Sequence, residues 1–74
     1  MGKYKNALKY IERAVRFDGG SNIEIMDHYG DILMRLSKYE KAIEIWQRVL
    51  EIDDENQIVK DKIDKAGKSI QNSK

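Results

Sequence analysis

The stretch Ser21–Asp54 constrains the fold most strongly, because its apolar residues recur with the period of an α-helix in two successive segments. With about 100° of rotation per residue, the second segment is apolar over one half of its circumference and charged over the other. Such a helix requires more than one neighbour. Two small residues, Gly30 and Ala42, lie within the apolar stripes and would allow the two helices to approach closely. The apolar half of the second segment consists of Ala42, Ile43, Ile45, Trp46, Val49, Leu50 and Ile52.

Capping patterns set the expected limits of this hairpin. Ser21 with Glu24 three residues on has the spacing of a capping box, and Ser37 with Glu40 repeats it. We therefore expect a connection of about two residues, which forces the two helices to run antiparallel. The predicted helices cover residues 22–36 and 39–52. The buried stripe predicted for the first consists of Ile25, Met26, Tyr29, Ile32, Leu33 and Leu36.

The segment before the hairpin repeats its second helix at a spacing of 35 residues. The matching pairs are Tyr4 with Tyr39, Ala7 with Ala42, Ile11 with Trp46 and Asp18 with Asp53. This repeat predicts a helix over 3–18 that ends at Gly19 and Gly20, because glycine readily takes the positive φ of a helix end. The apolar half predicted for it consists of Tyr4, Ala7, Leu8, Tyr10, Ile11, Ala14, Val15 and Phe17.

The last predicted helix covers residues 55–70 and is mostly polar. The segment Asp53-Asp54-Glu55 places negative charge at its amino terminus, where the helix dipole favours it. A narrow apolar stripe with a polar remainder is typical of a terminal capping helix. Gly67 is a candidate early end for this helix. The stripe consists of Val59, Ile63, Ala66 and Ile70.

The order of these residues resembles the tetratricopeptide repeat, whose pattern is W-x2-L-G-x2-Y followed by A-x3-F and then P. The corresponding order here is Met26-x2-Tyr29-Gly30-x2-Leu33, then Ala42-x3-Trp46, then Asp54 in place of proline. The resemblance implies an all-α fold in which antiparallel helix hairpins stack as a short right-handed α-solenoid of four helices. It also implies one domain over 1–74, as at the carboxy-terminal end of a longer array. The parts would be the second helix of an incomplete repeat at 3–18, a complete repeat at 22–52 and a capping helix at 55–70.

Composition excludes several classes of protein. The 74 residues include no cysteine and one histidine, so disulfides and thiolate or histidine-built metal sites are not expected. A formal net charge of +1 gives no global attraction to nucleic acid or anionic membrane. Nucleic-acid binding is further disfavoured because Glu12 interrupts the basic face of the first helix and no aromatic stacking platform accompanies it. Without an apolar run that could span a bilayer or a signal-peptide core, we expect a cytoplasmic protein that contacts no membrane.

No set of residues has the pattern of a catalytic site. The serines lie at caps or in the tail, and His28 has no acidic partner at a spacing that suggests a nucleophile and base. Asp27 and Asp31 could hold a hard cation, but a solvated acidic face is the simpler interpretation. The run 53–56 lacks the loop of an EF-hand, so we interpret it as a helix cap. We expect no enzymatic activity, no cofactor and no metal site.

Recognition at a surface is therefore the expected function. The resemblance implies that the first helix of each pair lines a concave face that binds a peptide or partner protein. Because carboxylates dominate this face, we expect a basic or neutral partner rather than an acidic one. The predicted partner-binding residues are Glu24, Asp27, His28, Asp31, Met34, Arg35, Ile58, Asp61 and Lys65.

A structural role is the alternative function. The chain would then be an end cap of a repeat array or a self-assembling unit without a separate ligand. The first helix has more apolar surface than one neighbour can cover, and exposed apolar surface of this kind usually marks an interface. We therefore expect a possible homodimer in which this surface meets its copy. The residues predicted for self-association are Tyr4, Leu8, Ile11 and Val15.

Overall fold

The computed structural model describes residues 2–18 and 22–72, and it contains four α-helices. Their bounds lie within two residues of the predicted ones, and no strand occurs in the described ranges. The all-α prediction is therefore confirmed. No helix in those ranges is long and apolar enough to cross a membrane. The helices are α1 (Gly2–Asp18), α2 (Ile23–Arg35), α3 (Tyr39–Ile52) and α4 (Gln57–Asn72).

Each helix packs mainly on the helix that follows it in the chain. The short connections produce this order, because a helix that turns back after a few residues lies against the one before it. The core is formed by α2, α3 and α4, and none of the described side chains of α1 is fully buried. The buried apolar residues are Met26, Tyr29, Ile32, Leu33, Ala42, Ile45, Trp46, Val49, Val59 and Ala66.

Trp46 of α3 packs on α2 at Gly30, one of the two small residues of the hairpin. A Cβ built at Gly30 would lie 2.2 Å from Nε1 and 2.4 Å from Cε2 of Trp46. The indole therefore lies directly on the backbone of α2, and Trp46 is 1% exposed. Ala42, the other small residue of the hairpin, is fully buried. The absence of a side chain at Gly30 thus makes room for the Trp46 indole, and not for the backbone of α3.

The turn between α2 and α3 differs from the predicted capping box. Ser37 has a φ of 62° and so ends α2 rather than capping α3. Its amide donates to the carbonyl of Met34 (3.0 Å), and the Lys38 amide donates to that of Leu33 (2.8 Å), which is the hydrogen-bond pattern of a Schellman motif. Lys38 precedes α3 without a side-chain cap. The left-handed backbone at Ser37 excludes the extended conformation that an N-cap requires.

Asparagine side chains cap two helices. Asn22, and not Ser21, caps α2 by accepting a hydrogen bond from the Ile25 amide (3.2 Å), whereas Ser21 lies outside the described residues together with Gly19 and Gly20. Asn56 does the same for α4, accepting from the Val59 amide at 3.1 Å. The helix-cap interpretation of the run 53–56 is therefore correct, although its last residue supplies the cap.

Two further details differ from prediction. Ile52 belongs to the predicted apolar half of α3 but is 52% exposed, because it is the last residue of that helix. Gly67 does not end α4, which continues to Asn72. A Cβ built at Gly67 would meet no atom within 4 Å, so this position is open as well as helical.

Gly30→Ala and Gly67→Ala should change stability in opposite directions. At Gly30 the new methyl group would displace a fully packed indole, so we expect a net loss of about 2–3 kcal/mol in the free energy of unfolding. At Gly67 only the higher helix propensity of alanine acts, so we expect a gain of about 0.5–1 kcal/mol. Urea denaturation followed by circular dichroism measures both. Equal effects at the two positions would mean that Trp46 does not pack on Gly30.

Ser37→Gly should stabilise the chain by about 0.5–1 kcal/mol, because glycine takes a positive φ without steric cost. Ser37→Ala is the matched control: it also removes the hydroxyl but keeps the Cβ, so it should give no gain. Thermal denaturation of the three chains tests this. A gain of the same size in both variants would assign the effect to the hydroxyl and not to the backbone.

Candidate partner-binding groove

A groove of about 520 Å³ lies between α2 and α4, with α3 beneath it. The carboxy-terminal turns of α2 form one wall. The other wall is a single face of α4, because Lys62, Lys65 and Ser69 lie three, four and seven residues apart. Tyr39 and Trp46 lie on the α3 side. The lining residues are Asp31, Met34, Arg35, Tyr39, Trp46, Lys62, Lys65 and Ser69.

Lys62 connects the two walls of this groove. Its Nζ donates to Asp27 Oδ1 at 2.8 Å and lies 3.0 Å from Asp31 Oδ1. Asp27 Oδ1 also accepts a hydrogen bond from Trp46 Nε1 at 3.1 Å. The ammonium group lies 6.0 Å from the centre of the indole ring, at the outer limit of a cation–π contact. One aspartate of α2 is thus bonded to both α3 and α4.

Burial and pairing act in opposite directions on Lys62. Partial burial lowers its pKa, because the charged form loses solvation, whereas the hydrogen bonds to Asp27 and Asp31 raise it. The net pKa lies above the usual lysine value, so pairing outweighs burial. Lys62 therefore carries its charge throughout the physiological pH range.

The groove is more cationic than the sequence suggested. Its lining contains one carboxylate, from Asp31, and three cations, from Arg35, Lys62 and Lys65. Lys62 is engaged with carboxylates, whereas neither Arg35 nor Lys65 forms an ion pair with another described residue. The prediction of a solvated acidic face is wrong for Asp27 and Asp31, because α4 places a cation between them. Within the described ranges, no group of three potential ligands could hold a metal ion.

The structure brings together only part of the predicted partner-binding set. Four residues, Asp31, Met34, Arg35 and Lys65, line the groove, and Asp27 lies in the Lys62 network beside it. The other predicted residues do not line it: Glu24, His28 and Ile58 are exposed, and Asp61 accepts a hydrogen bond from Gln57 within α4. Sequence reasoning missed Tyr39, Trp46, Lys62 and Ser69 as lining residues. Lys62 and Ser69 could have been predicted, because they share a face of α4 with the predicted residue Lys65.

The residues predicted for self-association are placed differently from that prediction. Leu8, Ile11 and Val15 are half-buried and pack against the core, because α2 covers the side of α1 on which they lie. The side chain of Tyr4 lies outside the described part of the structure. The large apolar residues that α1 exposes are Tyr10 (72%) and Phe17 (96%).

A second, smaller hollow of about 340 Å³ lies between α1 and α3, with Tyr29 at its base. The Tyr29 hydroxyl donates a long hydrogen bond of 3.4 Å to Glu12. Burial raises the pKa of Tyr29, Glu12 raises it further, and nearby Lys41 lowers it. The charges that line this hollow are mixed in sign, so it shows no preference for a cationic or anionic ligand.

Comparison with known proteins identifies a family. Residues 23–56 match the family model of the tetratricopeptide repeat. This segment contains α2, α3 and the connection up to the cap of α4, so the match covers the hairpin that the Gly30–Trp46 contact holds together. No curated protein matches the chain.

Lys62→Met should lower the free energy of unfolding by about 1–2 kcal/mol, because two partly buried carboxylates lose their cation. The loss should shrink as the pH rises through the raised pKa of Lys62, since that residue then loses its charge in the parent as well. Urea denaturation at neutral and alkaline pH measures both effects.

Lys68→Met is the matched control. Lys68 pairs with Asp64 on the same helix at 3.4 Å, but their side chains are 71% and 70% exposed. Its loss should cost no more than about 0.3 kcal/mol. A similar cost for both variants would show that Lys62 does not hold α4 on α2.

Proposed function

We propose that this chain binds a partner segment between α2 and α4. Residues 23–56 match the tetratricopeptide repeat, a non-enzymatic module that generally mediates protein–protein interaction. The observation that carries the proposal is the groove itself. It joins apolar surface from Met34 and Tyr39, above the buried Trp46, with polar groups on both walls. Such a combination fits a short segment that presents one apolar side chain and one charged group.

The charge of the groove favours a partner segment with a carboxylate. The expectation of a basic or neutral partner depended on free carboxylates at Glu24, Asp27 and Asp31. Lys62 pairs with two of these and offsets one of their two charges, and Glu24 does not line the groove. The cations that remain for a ligand belong to Arg35 and Lys65. A carboxylate placed between them would replace water with charge-assisted hydrogen bonds.

The contact should be weak. The groove is formed by one helical hairpin and one further helix, so a segment seated there buries less area than a standard stable interface. We expect a dissociation constant of about 0.1–1 mM for an isolated peptide. Affinity of this size suits a contact that acts together with others.

Two matched peptides of about eight residues test the proposal. Each contains two leucines in a glycine–serine background, followed by two aspartates in one peptide and two lysines in the other. Titrated into the ¹⁵N-labelled chain, the aspartate peptide should shift the amide resonances of Met34, Arg35 and Lys65. The lysine peptide should shift them at least about tenfold less at equal concentration.

Charge reversal at the groove provides the control. The double variant Arg35→Glu and Lys65→Glu should lose binding of the aspartate peptide. Lys60→Glu with Lys68→Glu makes the same change in net charge at exposed positions outside the groove and should retain it. Preferential binding of the lysine peptide would restore the expectation of a basic partner. If neither peptide shifts these resonances, the groove is not the binding surface.

A further inference from the structure

One side of α1 is apolar and exposes two large side chains. We call it the open flank and define it by Ala7, Tyr10, Ala14 and Phe17, which lie about 3, 4 and 7 residues apart on one helix face. Tyr10 is 72% and Phe17 is 96% exposed, although both are large and apolar. The adjoining side of α1, with Leu8, Ile11 and Val15, is already packed against the core.

The internal repeat indicates what the open flank lacks. A shift of 35 residues places Ala7, Tyr10 and Ala14 on Ala42, Ile45 and Val49 of α3, which are 0%, 7% and 0% exposed. It places Phe17 on Ile52, which is 52% exposed. With the same shift, the residues of α2 correspond to those of α4. The contact between α1 and α2 therefore corresponds to the contact between α3 and α4. The other neighbour of α3 is α2. Among the described elements, α1 has no counterpart to that neighbour, and Ala7, Tyr10 and Ala14 of the open flank are the residues that it would cover.

The charges beside the open flank select the partner. Lys9 and Arg13 border Tyr10 and, with Asn6, form a hollow of about 260 Å³ around it. The single carboxylate between residues 3 and 17 is Glu12, which points away, toward the Tyr29 hydroxyl at 3.4 Å. Within residues 3–17 the border is therefore cationic without a compensating acid. Two copies that met through this flank would bring like charges together, which costs affinity.

We infer that the open flank docks an acidic amphipathic helix of a partner protein. α2 shows the apolar part of what suits such a face, because it presents apolar side chains to α3 around a small Gly30. The acidic character of the partner follows from Lys9 and Arg13 beside Tyr10, since the described ion pairs of Asp27 and Asp31 are made with Lys62 of α4 and not with α3. An anionic membrane is the less suitable occupant. Only two large apolar side chains are exposed here, whereas membrane-surface helices insert a whole face.

The probe is a synthetic, fluorescein-labelled peptide with the sequence of residues 22–36, titrated with the full chain at low salt and followed by anisotropy. The comparison peptide carries Glu24→Lys, Asp27→Lys and Asp31→Lys. We expect the acidic peptide to bind and the lysine peptide to bind at least about tenfold more weakly. Equal binding of the two peptides would overturn the charge preference and with it the proposal.

Variants of the chain locate the contact. Tyr10→Ser with Phe17→Ser should weaken binding of the acidic peptide at least about tenfold, and folding should be retained because both side chains are exposed. Arg13→Glu should weaken it about threefold, with the effect fading at high salt. Ile52→Ser with Ile58→Ser is the matched control. It removes two comparably exposed apolar side chains from α3 and α4 and should leave binding unchanged.

Three further results would overturn the proposal. Unchanged binding in the Tyr10 and Phe17 variant would show that the peptide docks elsewhere, for example by displacing α2. Sedimentation of the chain as a dimer that this variant dissociates would make a second copy the occupant. Binding to phosphatidylserine vesicles that depends on Tyr10 and Phe17, without peptide binding, would assign the flank to a membrane. None of these results bears on the groove between α2 and α4, because the variants leave its lining intact.

Discussion

The packing of the Trp46 indole on the backbone at Gly30 is the contact on which the rest of the structure depends. It sets how closely α3 approaches α2, and it turns Nε1 toward Asp27. Asp27, oriented in this way, accepts a second hydrogen bond from Lys62 and so fixes α4 against α2. One glycine therefore determines the position of three helices. A side chain at position 30 would disturb the hairpin, the ion pairs and the groove together.

The sequence was sufficient to predict features that depend on local periodicity. The helix limits, the narrow apolar stripe of α4 and the small residue at Gly30 follow from the spacing of apolar residues, which chain geometry fixes. Features that depend on distant residues were missed. Lys62 is 35 residues from Asp27 and 31 from Asp31, and nothing near it in the sequence marks it as their partner. Ser37 was misassigned for a different reason, because serine suits a cap and the sequence pattern does not report the sign of φ.

Charge was the least predictable property of this surface. A helical wheel adds the charges of one helix, whereas a ligand meets the sum over all helices that border it. On α2 alone the face predicted to bind a partner is acidic, but α4 contributes Lys62 and Lys65, and the groove becomes cationic. The open flank shows the reverse. There no second helix contributes, so the basic border seen in the sequence of α1 is also the charge of the surface.

The shallow attachment of α1 has a consequence for how the chain opens. In α2–α4 the buried residues form one shared cluster, whereas the described side chains of α1 add only half-buried contacts to it. A helix that packs on the rest through one interface can detach at a free energy below that of global unfolding. The backbone amides of α1 should then exchange with solvent through this partial opening while those of α3 remain protected. A ligand that binds α1 only while that helix is packed on α2 would slow amide exchange along the whole of α1 by mass action. Hydrogen exchange would therefore report binding of a ligand to α1 without any label.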